Sequence, residues 1–550
     1  MLSAVARYKQ LLSSALARYF PRTTAYLRAE REAAQPRKPA RKQARKKASG
    51  GKKSSSGKAA RSKPGPAGIY PATRLKIEEA QVQAMRERVA QAVGAGLIGA
   101  PSDEQWAMIL CRAPLTRIFA GAGSGKSSTL VLRVVFMLCH LQIDPQRLTV
   151  ISFTNASCSE LRERLQRLLD FWQYGQDARQ CVRTFHAAMA ALAKEQLGSP
   201  RWFEQLDEPA AEPDNPLTGA RLRPAQQRLL KQAYQSAYAE DARFRLLSHR
   251  LLKLPAPQET QGRTAKAPLD ACELPGEFAA LPLFELLYGQ IDFAASLGIR
   301  LDHLDVKTLQ CAARERDFIE AMQRFQEHFA ALLHSQGLIS FNGAFAQLSE
   351  RLQRADAGKP GPALLALGHL LIDEFQDISP QIVLWLQAVH RRLHGAGERI
   401  SLMAIGDDWQ SIYGWRGSSP ELFIDFDRHF PSRGRGKSTI LLMGTNYRSI
   451  EPVLRDGEKV LAEVRSKQAK TCVAAKAMQP GDHGVKLIQR FDLGNGLPRL
   501  LDEIRAQCAH VASRPGADRT AVLLLSRRNE PLQQVRAQLD KALPVRALTI

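Results

Sequence analysis

Residues 120–127 read Ala-Gly-Ala-Gly-Ser-Gly-Lys-Ser and combine three glycines with a lysine and a serine. Glycines let the backbone curl until its N–H groups converge on phosphate oxygens, and a helix N-terminus strengthens such a site. Lys126 would neutralise the β- and γ-phosphates of a nucleotide, and the Ser127 hydroxyl would hold Mg²⁺. Because Ala120 replaces the first glycine of the strict Walker A pattern, a glycine-rich turn without a ligand remains the alternative for this segment alone.

A group of acidic residues follows an apolar run further along the chain, where residues 370–377 read LLIDEFQD. An acid at the end of a strand beside a phosphate loop is the Walker B arrangement. Asp373 would bind the metal ion through water, and Glu374 could accept a proton from an attacking water molecule. A loop of solvated acids is the alternative for this segment alone. Both motifs in one chain, each after an apolar run, indicate a nucleoside triphosphatase.

These motifs need a sheet to position them. From about residue 100, short apolar runs alternate with amphipathic helical stretches, which is typical of a parallel α/β sheet. The predicted strands are Leu115–Ala120, Leu148–Phe153, Leu370–Asp373, Ile400–Ile405 and Thr439–Met443, followed by Val485–Arg490, Ala521–Leu525 and Val545–Ile550. A helix is expected over Ser128–Leu141, directly after the phosphate loop. The stretch from Lys194 to Leu338 has no strand-like run, and this predicts an inserted helical subdomain.

The net charge of +24 is concentrated near the N-terminus. Residues 1–74 hold 19 Lys or Arg residues and two acids, and twelve of these basic residues lie between Arg37 and Lys63. The segment from Pro36 to Gly68 has too little apolar surface to fold, so we expect a disordered linker there. It would be either a solvated spacer or a phosphate-binding arm. We favour the arm. The first 30 residues resemble a transit peptide, although a short amphipathic docking helix fits equally well.

Composition excludes several other classes of protein. A hydrophobic fraction of 44% is ordinary for a globular chain. The longest apolar run, residues 363–372, is interrupted by His369 and is too short to span a bilayer. The eight cysteines form no C-x-x-C pair, which argues against a zinc site or a disulfide framework and favours a reducing compartment.

Two further segments discriminate among nucleoside triphosphatases: residues 406–417 read GDDWQSIYGWRG, and residues 446–449 read NYRS. Together with the phosphate loop and DEFQD, they resemble the UvrD/Rep family of superfamily 1A DNA helicases. Within that family, DEFQDISP followed by GDDWQ most resembles the DNA helicase IV branch. The resemblance covers about residues 100–190 and 340–550. It implies a P-loop NTPase with a RecA-like parallel sheet that uses ATP and Mg²⁺ and moves 3′→5′ on single-stranded DNA.

The resemblance also implies roles around the nucleotide. Gln105 would read the edge of adenine, Tyr447 would stack on its ring, and Gln410 would sense the γ-phosphate. Arg448 would stabilise charge on the transferring phosphoryl group, so that the catalytic set is Lys126, Glu374, Gln410 and Arg448. The residues expected to contact the nucleotide are Gln105, Ala120, Gly121, Ala122, Gly123, Ser124, Gly125, Lys126, Ser127, Ser128, Tyr447 and Arg448. The expected Mg²⁺ ligands are Ser127 and Asp373.

A second set of residues is expected to contact DNA. By the same resemblance these are Phe153, Thr154, Asn155, Phe185, His186, Tyr413, Trp415 and Arg416. Tyr413 and Trp415 would form an aromatic platform, and stacking tolerates any sequence at roughly 1–3 kcal/mol per base. A core tryptophan is the alternative for Trp415, but its flanking glycines favour a surface loop. His186 is either a DNA contact or a capped structural residue.

The expected domain order follows from these motifs. It consists of an amphipathic N-terminal segment (1–32), a disordered basic linker (33–68), RecA-like domain 1A in two parts (75–193 and 346–445), the inserted helical subdomain 1B (194–345) and a partial RecA-like domain 2A (446–550). The expected partners are single-stranded DNA and duplex junctions, and no membrane is expected. A protein partner could bind the N-terminal segment or the unfinished C-terminal sheet. The expected location is the bacterial cytoplasm, at the nucleoid.

The sequence departs from the family pattern at three places. Ser127 stands where Thr is usual, and Ser340-Phe341 stands where the family often has Asp-Phe. The third departure is that motifs V and VI do not occur before Ile550, so we expect ATP hydrolysis by this chain to be impaired. An ATP-binding clamp on single-stranded DNA is therefore the alternative function. A P-loop ATPase of another family is disfavoured by the segment 410–417 and by NYRS.

Overall fold

The computed structural model describes residues 68–71, 73–207, 222–257, 266–272, 280–309, 311–354, 358–433, 436–462, 464, 468, 470–487, 493–514, 516, 521–526 and 529–542. The N-terminal segment 1–32, the basic linker as far as residue 67 and the predicted strand Val545–Ile550 lie outside them. Among the described residues, no helix is both long and apolar enough to cross a membrane.

The described strands are β1 (Leu115–Ala120), β2 (Leu148–Ser152), β3 (Val182–Thr184), β4 (Arg201–Trp202), β5 (Ala271–Cys272), β6 (Leu281–Pro282), β7 (Leu338–Ile339), β8 (His369–Ile372), β9 (Ser401–Gly406), β10 (Thr439–Met443), β11 (Thr445–Ile450) and β12 (Val473–Lys476). Six of them form one parallel sheet in the order β10-β1-β9-β8-β2-β3. The α/β fold with a parallel RecA-like sheet is therefore confirmed. The five strands predicted for it are present, with ends within one residue, and β3 was missed because three residues carry too little pattern.

The described α-helices are α1 (Glu79–Gly94), α2 (Asp103–Ile109), α3 (Lys126–Val135), α4 (Asn155–Phe171), α5 (Phe185–Gln196), α6 (Pro224–Glu240), α7 (Ala242–Leu252), α8 (Leu283–Ser296), α9 (Ala313–Ser335), α10 (Phe341–Gln353), α11 (Pro362–Leu365), α12 (Pro380–Gly395), α13 (Glu421–Ile424), α14 (Phe426–His429), α15 (Glu451–Val460), α16 (Leu493–Ala512) and α17 (Asn529–Ala542). The predicted helix after the phosphate loop is α3, which continues as a π-helical turn over Phe136–His140.

The position of the central strands in the parallel sheet explains why they are rich in apolar residues. All residues of β1, β2, β8 and β9 are buried, as expected when helices cover both faces of a parallel sheet. Parallel strands end at the same edge, and ligand sites of open α/β sheets lie beyond that edge. The phosphate loop follows β1, the acids follow β8, and the segment beginning at Asp407 follows β9. The sheet thus brings together motifs that are far apart in sequence.

The inserted region is mainly helical, as predicted, with α6 to α9 packed around buried aromatic residues such as Tyr234, Phe284 and Phe325. The expectation that it holds no strand is wrong in detail. Strands β4 and β7 pair in parallel, Arg201 with Leu338 and Trp202 with Ile339, and join the two ends of the insertion. Pairs of two residues are too short to produce an apolar run.

The chain divides into two compact units, of which the second comprises Arg448–Glu463 and Val473–Ile550. In its described part, the predicted strands Val485–Arg490 and Ala521–Leu525 are wrong, because the described residues of both segments lie in no strand. The short strand β12 is present instead, paired with β11. Leu487 and Leu525 are largely exposed. An apolar run becomes a strand only where a neighbouring backbone pairs with it, and these runs have no such neighbour among the described residues.

Candidate active site

The phosphate loop connects the end of β1 to the start of α3. Gly123 and Gly125 have φ values of +67° and +78°, in the left-handed region that favours glycine. Helix α3 begins at Lys126, and Gly125 supplies it with no side-chain cap. An uncapped N-terminus that follows a curled glycine loop is the arrangement that binds phosphate oxygens through backbone N–H groups.

Three successive carbonyl groups of this loop are held from outside. The carbonyl of Ala122 accepts a hydrogen bond from the Asn446 side chain, and that of Gly123 accepts one from the Tyr447 N–H at 2.9 Å. The carbonyl of Ser124 accepts one from Gln105 Nε2 at 3.1 Å. Because these carbonyls are already bound, the loop is fixed in the curl that its glycines permit, and a triphosphate would not have to order it.

Gln105 has both ends of its side-chain amide engaged. Its Oε1 accepts a hydrogen bond from the Ser102 N–H at 3.1 Å, within the capping box of α2, and its Nε2 is bound to the phosphate loop. A Cβ atom added to Gly125 would lie 2.7 Å from Gln105 Nε2. Gln105 therefore positions the phosphate loop in this structure, and its predicted contact with adenine stays a prediction.

The acids after β8 face the lysine of the loop. Lys126 Nζ lies 3.1 Å from Glu374 Oε2 and 3.3 Å from Oε1, and the lysine side chain is 11% exposed. Asp373 is buried, and this burial together with the charge of Glu374 raises its pKa to about 6. Glu374 itself has a φ of +52°, which non-glycine residues rarely adopt. Ser127 lies in the first turn of α3, directly after Lys126.

Gln376 links these acids to the segment after β9 and was not assigned a role from the sequence, although it lies within the DEFQD run. Its Nε2 donates to Glu374 Oε2 at 2.8 Å, and its Oε1 accepts from the Asp407 N–H at 3.0 Å. A Cβ atom on Gly406 would lie 2.4 Å from that Oε1, so any side chain there would displace the Gln376 amide. Gln376 therefore connects Glu374, the predicted catalytic carboxylate, to Asp407, three residues before the predicted γ-phosphate sensor Gln410.

The residues Asp407–Gln410, called the sensor loop below, form a short 3-10 turn after β9. Gln410 Nε2 donates to Asp407 Oδ2 at 2.6 Å, and the Trp409 N–H donates to Asp407 Oδ1 at 3.1 Å. Asp377 accepts a hydrogen bond from Gln376 Nε2 at 3.3 Å, and burial together with the charge of Glu374 raises its pKa to about 7. Asp407 is the residue through which the amide of Gln410 is held.

The chain matches the family model described as the UvrD/REP helicase N-terminal domain over residues 102–431, more than half of its length. It belongs to the UvrD/REP helicase family. This confirms the resemblance drawn from the motifs, and the matched range includes the phosphate loop, the acids after β8 and the sensor loop.

Several curated members of the UvrD/REP family are similar to this chain. The putative ATP-dependent DNA helicase YjcD of Bacillus subtilis is 25% identical over 385 residues, which cover 69% of this chain and 40% of YjcD. DNA helicase II of Escherichia coli is 26% identical over 365 residues, covering 65% and 40%. DNA helicase IV of the same organism is 25% identical over 335 residues, covering 60% and 42%. The matched part of the chain thus spans about 40% of the length of these relatives, and the specific likeness to helicase IV stays a prediction.

Gln105 and Tyr447, the two residues predicted to contact the adenine base, both belong to the first unit. Tyr447 is the last residue of the first unit before the chain enters the second, and its side chain is 46% exposed. An exposed ring whose backbone N–H is bonded to the phosphate loop could stack on a base. Arg448 belongs to the second unit, and its predicted role in charge stabilisation stays a prediction.

One predicted DNA contact needs correction. Phe185 is 2% exposed and packs edge-on against Phe153 with ring centroids 5.5 Å apart. Its ring cannot stack on a base in this structure, because Phe185 opens α5 with its side chain turned into the core. Phe153 is partly buried, and Thr154 caps α4 by accepting a hydrogen bond from the Ser157 N–H at 3.0 Å.

Other predicted DNA contacts are accessible. His186 and Asn155 are exposed, and the His186 ring lies 4.5 Å from that of Phe341. Arg416 is exposed, with its guanidinium carbon 5.8 Å from the centroid of the partly buried Tyr413 ring. The side chain of Trp415 lies outside the described residues.

The departure at Ser340-Phe341 has a structural explanation. The Ser340 hydroxyl oxygen caps α10 by accepting a hydrogen bond from the Gly343 N–H at 3.1 Å. Serine and aspartate are both strong N-cap residues, so the exchange keeps the cap. Phe341 packs against His186 and thus supports one of the predicted DNA contacts.

Proposed function

We propose that this chain is the ATP-binding part of a DNA helicase or translocase that moves 3′→5′ on single-stranded DNA. The observation that supports this best is the ion pair between Lys126 and Glu374, 248 residues apart in sequence and both beyond the carboxyl ends of parallel strands. A lysine at a curled glycine loop that faces a carboxylate is the pair needed to bind a triphosphate and to activate water.

Nucleotide binding would begin at the phosphate loop. Its N–H groups and Lys126 would hold the β- and γ-phosphates, and the exposed ring of Tyr447 would stack on the base. Transfer of Lys126 from Glu374 to the phosphates would release the Glu374 carboxylate, which Gln376 continues to orient at 2.8 Å. Glu374 could then accept a proton from the attacking water.

Ser127 and Asp373 would hold Mg²⁺, which when bound would neutralise charge on the phosphate oxygens. Asp373 fits this role because its buried carboxylate follows β8 directly and lies next to Glu374, which faces the phosphate-loop lysine. A nearby cation would favour the ionised form. The sensor loop would respond to the γ-phosphate through Gln410. The next six residues, 411–416, include the predicted DNA contacts Tyr413 and Arg416.

The experiment measures ATP turnover by the purified chain with and without single-stranded DNA, and then displacement of a labelled strand from duplexes with a 3′ or a 5′ single-stranded tail. In line with the impaired hydrolysis expected from the sequence, we expect turnover to be slow but stimulated by DNA, and any strand displacement to require a 3′ tail. Binding of ATP and of DNA without any turnover would favour the clamp. Stimulation with displacement only from a 5′ tail would contradict the polarity, and absence of ATP binding would contradict the proposal as a whole.

A further inference from the structure

A short segment of the chain leaves the second unit, joins the first and then returns. Residues up to Glu463 and from Val473 onward belong to the second unit, whereas Val464–Cys472 belongs to the first. The described residues Gln468 and Lys470–Cys472 are called the strap below. The motifs that led to the proposed function do not include them.

Lys470 of the strap is almost completely buried against two acids of the sensor loop. Its Nζ forms ion pairs with Asp407 Oδ1 and, at 3.0 Å, with Asp408 Oδ1, and the three side chains are 4%, 3% and 0% exposed. The same Nζ lies 4.8 Å from the centroid of the Trp409 ring. Because charges removed from water are stable only when well paired, loss of Lys470 would leave two buried carboxylates without their cation.

Backbone contacts align the strap with the sensor loop. Trp409 Nε1 donates to the Gln468 carbonyl at 3.1 Å, and the Gln468 N–H donates to the Asp408 carboxylate. Two residues of the strap therefore bind three consecutive residues of the loop. This arrangement fixes the loop more firmly than a single ion pair would.

The strap also packs against the phosphate-loop side of the site. A Cβ atom on Gly121 would lie 2.9 Å from Cys472 Sγ, and a Cβ atom on Gly444 would lie 2.8 Å from the Thr471 carbonyl oxygen. Both distances are shorter than real Cβ contacts. The strap is therefore held between the sensor loop and the first glycine of the phosphate loop.

We propose that Lys470 is a positioning residue for recognition of the γ-phosphate. It binds Asp407 Oδ1, while Asp407 Oδ2 accepts the hydrogen bond from Gln410 Nε2 at 2.6 Å. Lys470 thereby sets the position from which the Gln410 amide can reach a γ-phosphate. This inference rests on the proposed function, and it adds a residue from outside the recognised motifs to the nucleotide sensor.

The test uses the whole chain with Lys470→Met and, as a matched control, Lys437→Met, which removes an exposed lysine of the same unit. The affinities for fluorescent ADP and for a non-hydrolysable fluorescent ATP analogue are measured in Mg²⁺. We expect Lys470→Met to keep ADP affinity within about twofold and to lower the ratio of analogue to ADP affinity roughly 10-fold or more, the value of one hydrogen bond to a charged group.

A double-mutant cycle separates positioning from general support. Gln410→Ala should lower the same ratio. Lys470→Met combined with Gln410→Ala should lower it no further, because the two changes remove the same interaction. If Lys470→Met does not fold, Gly444→Ala displaces the strap without changing a charge, and Gly175→Ala, where added Cβ meets no atom within 4 Å, is its control.

An unchanged ratio in Lys470→Met and in Gly444→Ala, with ADP still bound, would overturn this inference and leave the proposed function intact. Independent, additive effects of Lys470→Met and Gln410→Ala would overturn it as well. A wild-type chain that binds neither nucleotide would overturn the proposed function itself.

Discussion

Replacing Lys126 by alanine removes the positive charge that lies between the phosphate loop and Glu374. The ammonium group is 3.1 Å from Glu374 Oε2 and is mostly buried, whereas the Glu374 side chain is 35% exposed. The change leaves the loop itself intact, because the hydrogen bonds that hold its carbonyl groups come from Gln105, Asn446 and Tyr447. The substitution therefore tests one charge and spares the architecture.

The expected effect on nucleotide affinity is large, and the expected effect on stability is small. Hydrogen bonds to charged groups contribute about 1.5–3 kcal/mol each, so loss of the Lys126 contact should weaken ATP binding roughly 10- to 150-fold. Asp373 and Glu374 would then face the phosphates without a lysine, which adds repulsion in the same direction. The ion pair with the partly exposed Glu374 is worth about 1 kcal/mol or less to folding.

The assay compares Lys126→Ala with Lys437→Ala, which removes an exposed lysine. Affinities for ATP and for single-stranded DNA are measured on the same preparations, together with the melting temperature. We expect ATP affinity to fall while DNA affinity stays close to that of the wild-type chain, because Lys126 belongs to the phosphate loop and is not among the residues predicted to contact DNA. An ATP dissociation constant equal to that of the control would refute the assignment of the phosphate loop.

Three further predictions use other parts of the chain. Deleting residues 33–68, with their twelve basic residues, should weaken DNA binding evenly across sequences and reduce the slope of log K against log salt by about 0.7 per lost phosphate contact on single strands; an unaltered slope would identify a spacer or an address signal. Burial raises the pKa of Glu204 to about 8, so stability should fall as pH rises from about 4.5 to 8, and Glu204→Gln should reduce this fall in a melting series; an equal fall in both chains would contradict the assignment. Gly125 has a φ of +78°, and an added Cβ would lie 2.7 Å from Gln105 Nε2. Gly125→Ala should therefore lower ATP affinity relative to Gly175→Ala, and equal affinities would show that the loop tolerates a side chain there.

The sequence alone predicted the sheet and the positions of its motifs well. Leu115–Ala120 has the predicted bounds because a strand covered on both faces is rich in apolar residues. The edge strand Thr439–Met443 also has its predicted bounds, although Ile440 and Leu442 are exposed. The phosphate loop was equally visible, since its chemistry is confined to eight consecutive residues. Short motifs alone indicated the family, and the match over residues 102–431 confirms it.

The second unit was predicted less well. Val485–Arg490 and Ala521–Leu525 have the composition of strands, but their described residues are unpaired with any strand. Apolar composition can identify a segment that would be stable in a sheet. It cannot supply the neighbouring backbone whose N–H and C=O groups complete the strand.

Tertiary structure decided how the motifs are connected and which side chains are available. Gln376 joins Glu374 to Asp407. Lys470, 63 residues after Asp407 in the sequence, is buried against the sensor loop. Phe185, which by resemblance should meet DNA, is instead buried in the core. The sequence determined the residue types and their order, because each motif's chemistry is local. Burial and long-range pairing depend on which distant segments the folded chain brings together, and no local pattern records that.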